Sequence, residues 1–197
     1  MKRLLITALS LALGIYGYAA GTISGTVTDA QGNQYTYSSA LTPVAAACIG
    51  DPGFELQTQS HPLAAPWVLV GPANANAGTT TAQYAHSGNR VGYVYATSAQ
   101  VFTSIQQTIN VAANTSYTVK FWTKCDSGGT PAGSLIKVTS AGGTVLGSTS
   151  LSVSSTYTQV SVTFNSGSNT SVIIVTGFTP SGIGVFQDMF MDDFTIT

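Results

Sequence analysis

Side chains able to do chemistry are scarce in this chain of 197 residues. It has two histidines, His61 and His86, a single glutamate, Glu55, and one pair of adjacent acids, Asp192-Asp193. Neither histidine stands at the paired spacing of a zinc site. His61 precedes Pro62 and His86 precedes Ser87-Gly88, so both read as loop residues. Serines are plentiful, but none sits in the Gly-x-Ser-x-Gly elbow that presents a nucleophile. Glycine-rich pieces such as Ser127-Gly128-Gly129 lack the following helix that makes a phosphate cradle. The reading is of a chain without catalytic machinery. The acids still need an explanation. Glu55 follows Phe54, and Asp192-Asp193 stand between Phe190 and Phe194 with Ile196 beyond. Carboxylates among such neighbours are costly to desolvate unless paired or metal-bound, and no lysine or arginine lies nearby in sequence to pair with them. A hard cation that prefers oxygen ligands would suit them. The other reading is that they are solvated at strand ends.

Only 7% of the residues are charged, where about a quarter is usual, so hydroxyls, amides and glycine must make the surface polar. Met1-Lys2-Arg3 is a basic start, the run Leu4 to Leu13 is apolar, and small residues follow at Gly17, Ala19 and Ala20. This is the pattern of a secretory signal peptide over residues 1–20. The 17 residues from Leu4 to Ala20 fall at the short limit for spanning a bilayer, which takes about 20. Without that segment four basic residues remain (Arg90, Lys120, Lys124 and Lys137) against seven acidic ones, a net charge near −3. Such a chain is no phosphate-tracking nucleic-acid binder, and no other apolar run is long enough for membrane insertion of the mature chain. Secretion, or display at the cell surface, is the expected localisation. In an oxidising compartment Cys48 and Cys125 are expected to pair, which would contribute up to about 4.5 kcal/mol in the chain-entropy description. Two separate buried thiols are the alternative.

Positioning these residues falls to strands. Beyond Ala20 the pattern has period two, with no convincing helical stripe. Thr22–Thr28 and Gln34–Tyr37 flank a turn at Asp29 to Asn33 and read as a hairpin, and Leu41 to Gly50 reads as a linker. Further strands are expected at Trp67–Val70, Arg90–Tyr95, Val101–Val111, Ser116–Lys124, Leu135–Thr139, Thr144–Leu151, Thr158–Phe164, Val172–Thr176 and Met189–Ile196. The intervals and the Gly, Ser, Asn and Pro between them predict an all-β sandwich of two antiparallel sheets. The expected layout is a signal peptide at 1–20, a hairpin and linker at 21–49, and a β domain at 50–197.

Five fragments of that domain carry a resemblance: Asp51-Pro52-Gly53-Phe54-Glu55, His86-Ser87-Gly88-Asn89-Arg90-Val91, Ile105 to Ile109, Ser116 to Lys124, and Phe190-Met191-Asp192-Asp193-Phe194-Thr195-Ile196. In this order they resemble the carbohydrate-binding modules of the galactose-binding-like jelly-roll superfamily, the kind appended to cellulases and xylanases. The resemblance departs at Asp51-Pro52, where such modules usually carry Asn and Gly, and at Tyr157, where many have Trp. It implies a jelly roll with a structural Ca2+ held by Glu55 and Asp193, with Asp192 the alternative ligand because a one-residue register shift changes its face. It also puts these acids at the seam of the first and last strands rather than in a cleft, which argues against a catalytic pair.

Alternation then nominates a binding surface. If Tyr117, Val119 and Phe121 face the core, Trp122 faces outward beside Lys120 and Lys124, a stacking platform for a sugar ring. Gln106, Thr108, Gln159 and Ser161 also face outward, and Gln106 and Gln159 are the candidate polar contacts. The alternative for Trp122 is that a loop or the N-terminal hairpin covers it. Trp67 reads as core, and Tyr93 and Tyr95 as core because they share parity with Val91. The expected function is a secreted, non-catalytic module binding a polysaccharide or glycoconjugate. The alternative is a structural or adhesive surface protein, self-associating through its N-terminal strand; the absence of an enzyme within these residues, the low charge and the N-terminal segment favour it.

Overall fold

The computed structural model describes residues 21–29, 31–41, 46–58, 63–71, 76–96, 101–125, 133–152, 154–179 and 187–197. The expected signal peptide and His61 lie outside them. The described residues form two compact units, divided after Ala45. The first is a two-stranded hairpin in which β1 (Gly21–Thr28) pairs with β2 (Gln34–Leu41), Gly21 opposite Leu41 and Thr28 opposite Gln34. Asp29 builds its turn, its carboxylate accepting the Gln31 and Asn33 backbone N–H groups, the Asn33 side-chain amide and the Tyr35 hydroxyl.

The second unit is a jelly-roll sandwich of ten strands, with no helix among the described residues. Its strands are β3 (Val68–Val70), β4 (Asn76–Thr81), β5 (Arg90–Ala96), β6 (Thr103–Asn110), β7 (Ser116–Lys124), β8 (Leu135–Ser140), β9 (Val145–Ser150), β10 (Thr158–Asn165), β11 (Ser171–Phe178) and β12 (Gln187–Ile196). One sheet runs β10-β7-β12-β5-β4 and the other β3-β6-β11-β8-β9, with antiparallel pairing throughout. Alternation fills the space between them. Val119 and Phe121 of β7 face Ile105 and Ile109 of β6, Ile136 and Val138 of β8, and Val172 and Ile174 of β11, all buried. Trp67 is in this core, as expected, just before β3 rather than within it.

Two expectations are corrected here. Tyr93 is not core: it pairs across the ladder with Phe190 and only its neighbours Gly92 and Val94 turn inward, Gly92 against the Phe54 ring and Val94 into the core cluster. Tyr95 shares its face, and both tyrosines are half-buried. Second, Cys48 and Cys125 are not bridged. The Cys125 thiol is buried at the end of β7, 3.7 Å from the Asp188 carboxylate, while Cys48 is exposed on the segment before the first core residue, Ile49.

Candidate functional site

The site grows from the segment that opens the second unit. Asp51 and Phe54 both adopt left-handed backbone, φ 46° and 59°, a conformation rare for a bulky residue such as phenylalanine. Side-chain bonds hold the turn in place. The Asp51 carboxylate accepts the Leu56 N–H at 3.1 Å and the Gln57 amide at 2.8 Å, and the Asp51 carbonyl accepts the Trp67 indole N–H at 3.0 Å. Asp51 thus closes the turn with its own side chain at the position where the resembling modules carry Asn. The Phe54 ring is fully buried, stacked on Trp67 at 5.2 Å and edge-on to Phe194 at 6.1 Å. Its ring rests directly on Gly92, where a Cβ would come within 2.4 Å of Cζ. The Pro52 carbonyl accepts the Phe194 N–H at 3.0 Å, so the opening turn is fastened to the last strand. Glu55 projects from this frame.

The last strand carries the other two acids on a bulge. Trp122 and Lys120, two residues apart on β7, face Asp192 and Thr195, three apart on β12. Asp193 absorbs the extra residue with φ 51°, the left-handed backbone that G1-type bulges also use. Glu55, Asp192 and Asp193 gather round Gly53, whose Cβ, if present, would lie 3.6–3.9 Å from Asp192 Oδ1, Asp193 Oδ1 and Glu55 Cγ. All three acids are met by the turn at residues 86–90. Asp192 Oδ2 accepts the backbone N–H groups of His86 at 2.8 Å and Ser87 at 3.2 Å, and Oδ1 accepts that of Asp193 at 2.9 Å. Asp193 Oδ1 accepts the Ser87 hydroxyl, and its Oδ2 meets His86 Nδ1, each at 2.7 Å. Glu55 Oε1 accepts the N–H groups of Asn89 at 2.7 Å and Arg90 at 2.9 Å. Gly88, at φ 64°, has no side chain to keep Glu55 out. Desolvation pushes the Asp192 carboxyl up to about 6 from its usual 3.8, with the neighbouring Asp193 charge adding to the rise.

These are the residues the resemblance assigns to calcium, and the donor set is wrong for it. A calcium ion takes six to eight oxygen ligands. Here five of the six carboxylate oxygens already receive the positive ends of N–H or O–H dipoles, which would point at a cation. Among the described residues no three His, Cys, Asp or Glu side chains stand where they could share a metal ion.

On the outer face of the β10-β7-β12-β5-β4 sheet, Trp122, Lys120 and Lys124 stand together as alternation predicts, and Gln159 pairs directly with Trp122 across the β10–β7 ladder. Trp122 is half-buried because the turn reaches over it: the His86 imidazole stacks on its indole, centroids 4.2 Å apart and planes within 13°. Tyr157 stands edge-on to His86 at 5.1 Å and donates its hydroxyl to the Tyr84 carbonyl. Tyr84 in turn stacks on Phe190. The Lys124 ammonium lies 5.3 Å from the ring centres of Tyr84, Tyr157 and Phe190, within cation–π range. Gln106 is elsewhere: it faces outward on β6, in the other sheet, between Val68 and Val175. Sequence reasoning missed His86, Tyr84 and Phe190 as parts of this surface. The one available signal was the His86-Ser87-Gly88-Asn89 turn itself, whose backbone donors needed an acceptor.

No protein-family model matches the sequence, and no curated protein matches it. Solved structures do share its fold. TmCBM61, in complex with β-1,4-galactotriose, is 19% identical with a TM-score of 0.53, covering 78% of this chain and 99% of its own. A CBM4 structure is 17% identical with a TM-score of 0.51, covering 76% and 99%. The K1 cleaved adhesin domain of Lys-gingipain from Porphyromonas gingivalis W83 is 13% identical with a TM-score of 0.51, covering 74% and 95%. The fold is thus that of jelly-roll carbohydrate-binding modules, and an adhesin domain has it too.

Proposed function

We propose that this chain is a secreted, non-catalytic glycan-binding module whose binding surface is the outer face of the β10-β7-β12-β5-β4 sheet. One observation carries the reading: the aromatic and cationic layer of Trp122, His86, Tyr157, Tyr84 and Lys124, with Gln159 beside Trp122. Aromatic rings pack against the C–H faces of sugars while their polar tips stay wet. Lysine and glutamine donors beside them can hydrogen-bond ring hydroxyls. The fold shared with TmCBM61 and CBM4 supports the class of ligand. Gln106, on the other sheet, has no part in this surface.

The test is retention on insoluble polysaccharides, with β-1,4-galactan, xylan and cellulose as the panel. The wild-type chain is expected to be retarded on at least one, and Trp122→Ala to elute unretarded with its thermal midpoint kept. Absence of retention on all three, with large assemblies in sedimentation, would favour a structural or adhesive role. What supports that second reading is the adhesin domain of like fold, together with a hairpin whose two eight-residue strands carry no charged side chain to discourage edge pairing.

A further inference from the structure

We infer that the seam between the opening turn and the last strand is closed by hydrogen bonds from residues 86–90 and takes no cation. The three acids offer six carboxylate oxygens, and five of them already accept: both of Asp192, both of Asp193, and Oε1 of Glu55. Five of the seven donors are backbone N–H groups, fixed in direction by the turn and by the bulge. A successive run of such groups makes a concavity for anions. It repels a cation from the very oxygens that a calcium ion would need. Gly88 completes the fit, since a Cβ there would lie 2.2 Å from Glu55 Oε1. The carboxylates therefore act as acceptors that pin the turn, and Asp193 is the positioning residue that holds His86 over Trp122.

The inference stands apart from glycan binding and is tested without a glycan. Calorimetric titration of the chain with calcium chloride is expected to give no saturable heat, and the thermal midpoint in calcium is expected to match that in EDTA within about 1 °C. Saturable heat, or a midpoint several degrees lower in chelator, overturns the inference. The double variant His86→Ala/Ser87→Ala removes both side-chain donors from Asp193 and leaves its oxygens open. Its midpoint is expected to fall by several degrees and to stay low when calcium is added. Recovery with calcium, or no fall at all, overturns it equally.

Discussion

His86 lies flat against Trp122, with 4.2 Å between ring centres, while Nδ1 of the same imidazole meets Asp193 Oδ2 at 2.7 Å. One side chain thus joins the seam acids to the aromatic layer. In the neutral ring, a proton on Nδ1 facing the carboxylate leaves Nε2 as an acceptor beside the indole. His86→Ala removes both the ring and that acceptor. On a polysaccharide that retains the wild type, it is expected to weaken binding by about tenfold, equivalent to about 1.4 kcal/mol. Affinity electrophoresis in gels with and without the glycan measures this, and equal mobility shifts for the two proteins would exclude His86 from the surface.

The fold was legible because period-two alternation marks strands whatever sheet they join. Which sheet was not legible. Gln106 and Gln159 both face outward by parity, yet β6 and β7, adjacent in sequence, lie in different sheets, so only one of the two glutamines reaches Trp122. Tyr93 was misread for a related reason. Val91 is fully buried, as Val94 is, although they point to opposite faces. A strand with buried side chains on both faces loses the contrast on which alternation depends. The acids of the seam could be named from their aromatic neighbours. Their partners could not, because five of the seven donors are backbone N–H groups and leave no mark in the sequence.

Gly92 has a steric role that the ladder alone would not reveal. An added methyl would stand 2.4–2.7 Å from three carbons of the Phe54 ring, and that ring is held between Trp67 and Phe194. It has nowhere to move. Gly92→Ala is expected to cost about 1–3 kcal/mol by overpacking, read from the urea midpoint. The loss should be smaller in a Phe54→Leu background, where a shorter side chain yields; strict additivity of the two substitutions would contradict the contact.

The cysteines make a separate claim. Cys48 is exposed and Cys125 is fully buried. Ellman's reagent is expected to modify about one thiol in the native, unreduced protein and both after denaturation, because access controls reaction with the thiolate. Zero titratable thiols in unreduced denaturant would restore the bridge.

Thr176 faces inward on β11, fully buried between Ile105 and Ile136 in the ladder, and its hydroxyl has no hydrogen-bond partner among the described residues. An unmet buried hydroxyl costs more than the nearly isosteric methyl. Thr176→Val is therefore expected to be neutral or to stabilise by up to about 1 kcal/mol in urea denaturation. A loss above 1 kcal/mol would mean that the hydroxyl has a partner, such as an internal water.

Asp192 sets a pH dependence whose sign runs against the usual acid lability. Burial raises its carboxyl to about 6 from 3.8, so between those values the folded chain holds a proton that the unfolded chain has released. Stability from this group therefore rises as pH falls through 6, and the penalty of burying the ionised form is fully present above that pH. At about 1.4 kcal/mol per unit, the whole effect is on the order of 3 kcal/mol, of which about 1 kcal/mol is gained between pH 7.5 and 5.5. The ionisable groups around it are Asp193 beside it, His86 against Asp193, and Glu55 on the far part of the same turn, so the effect is read as a difference between two proteins that share them. From pH 7.5 to 5.5 the urea midpoint of the wild type is expected to gain on that of Asp192→Asn, whose side chain carries no proton to gain. A steady fall over that range, the same in both proteins, would show that the Asp192 carboxylate is not desolvated by the turn that covers it.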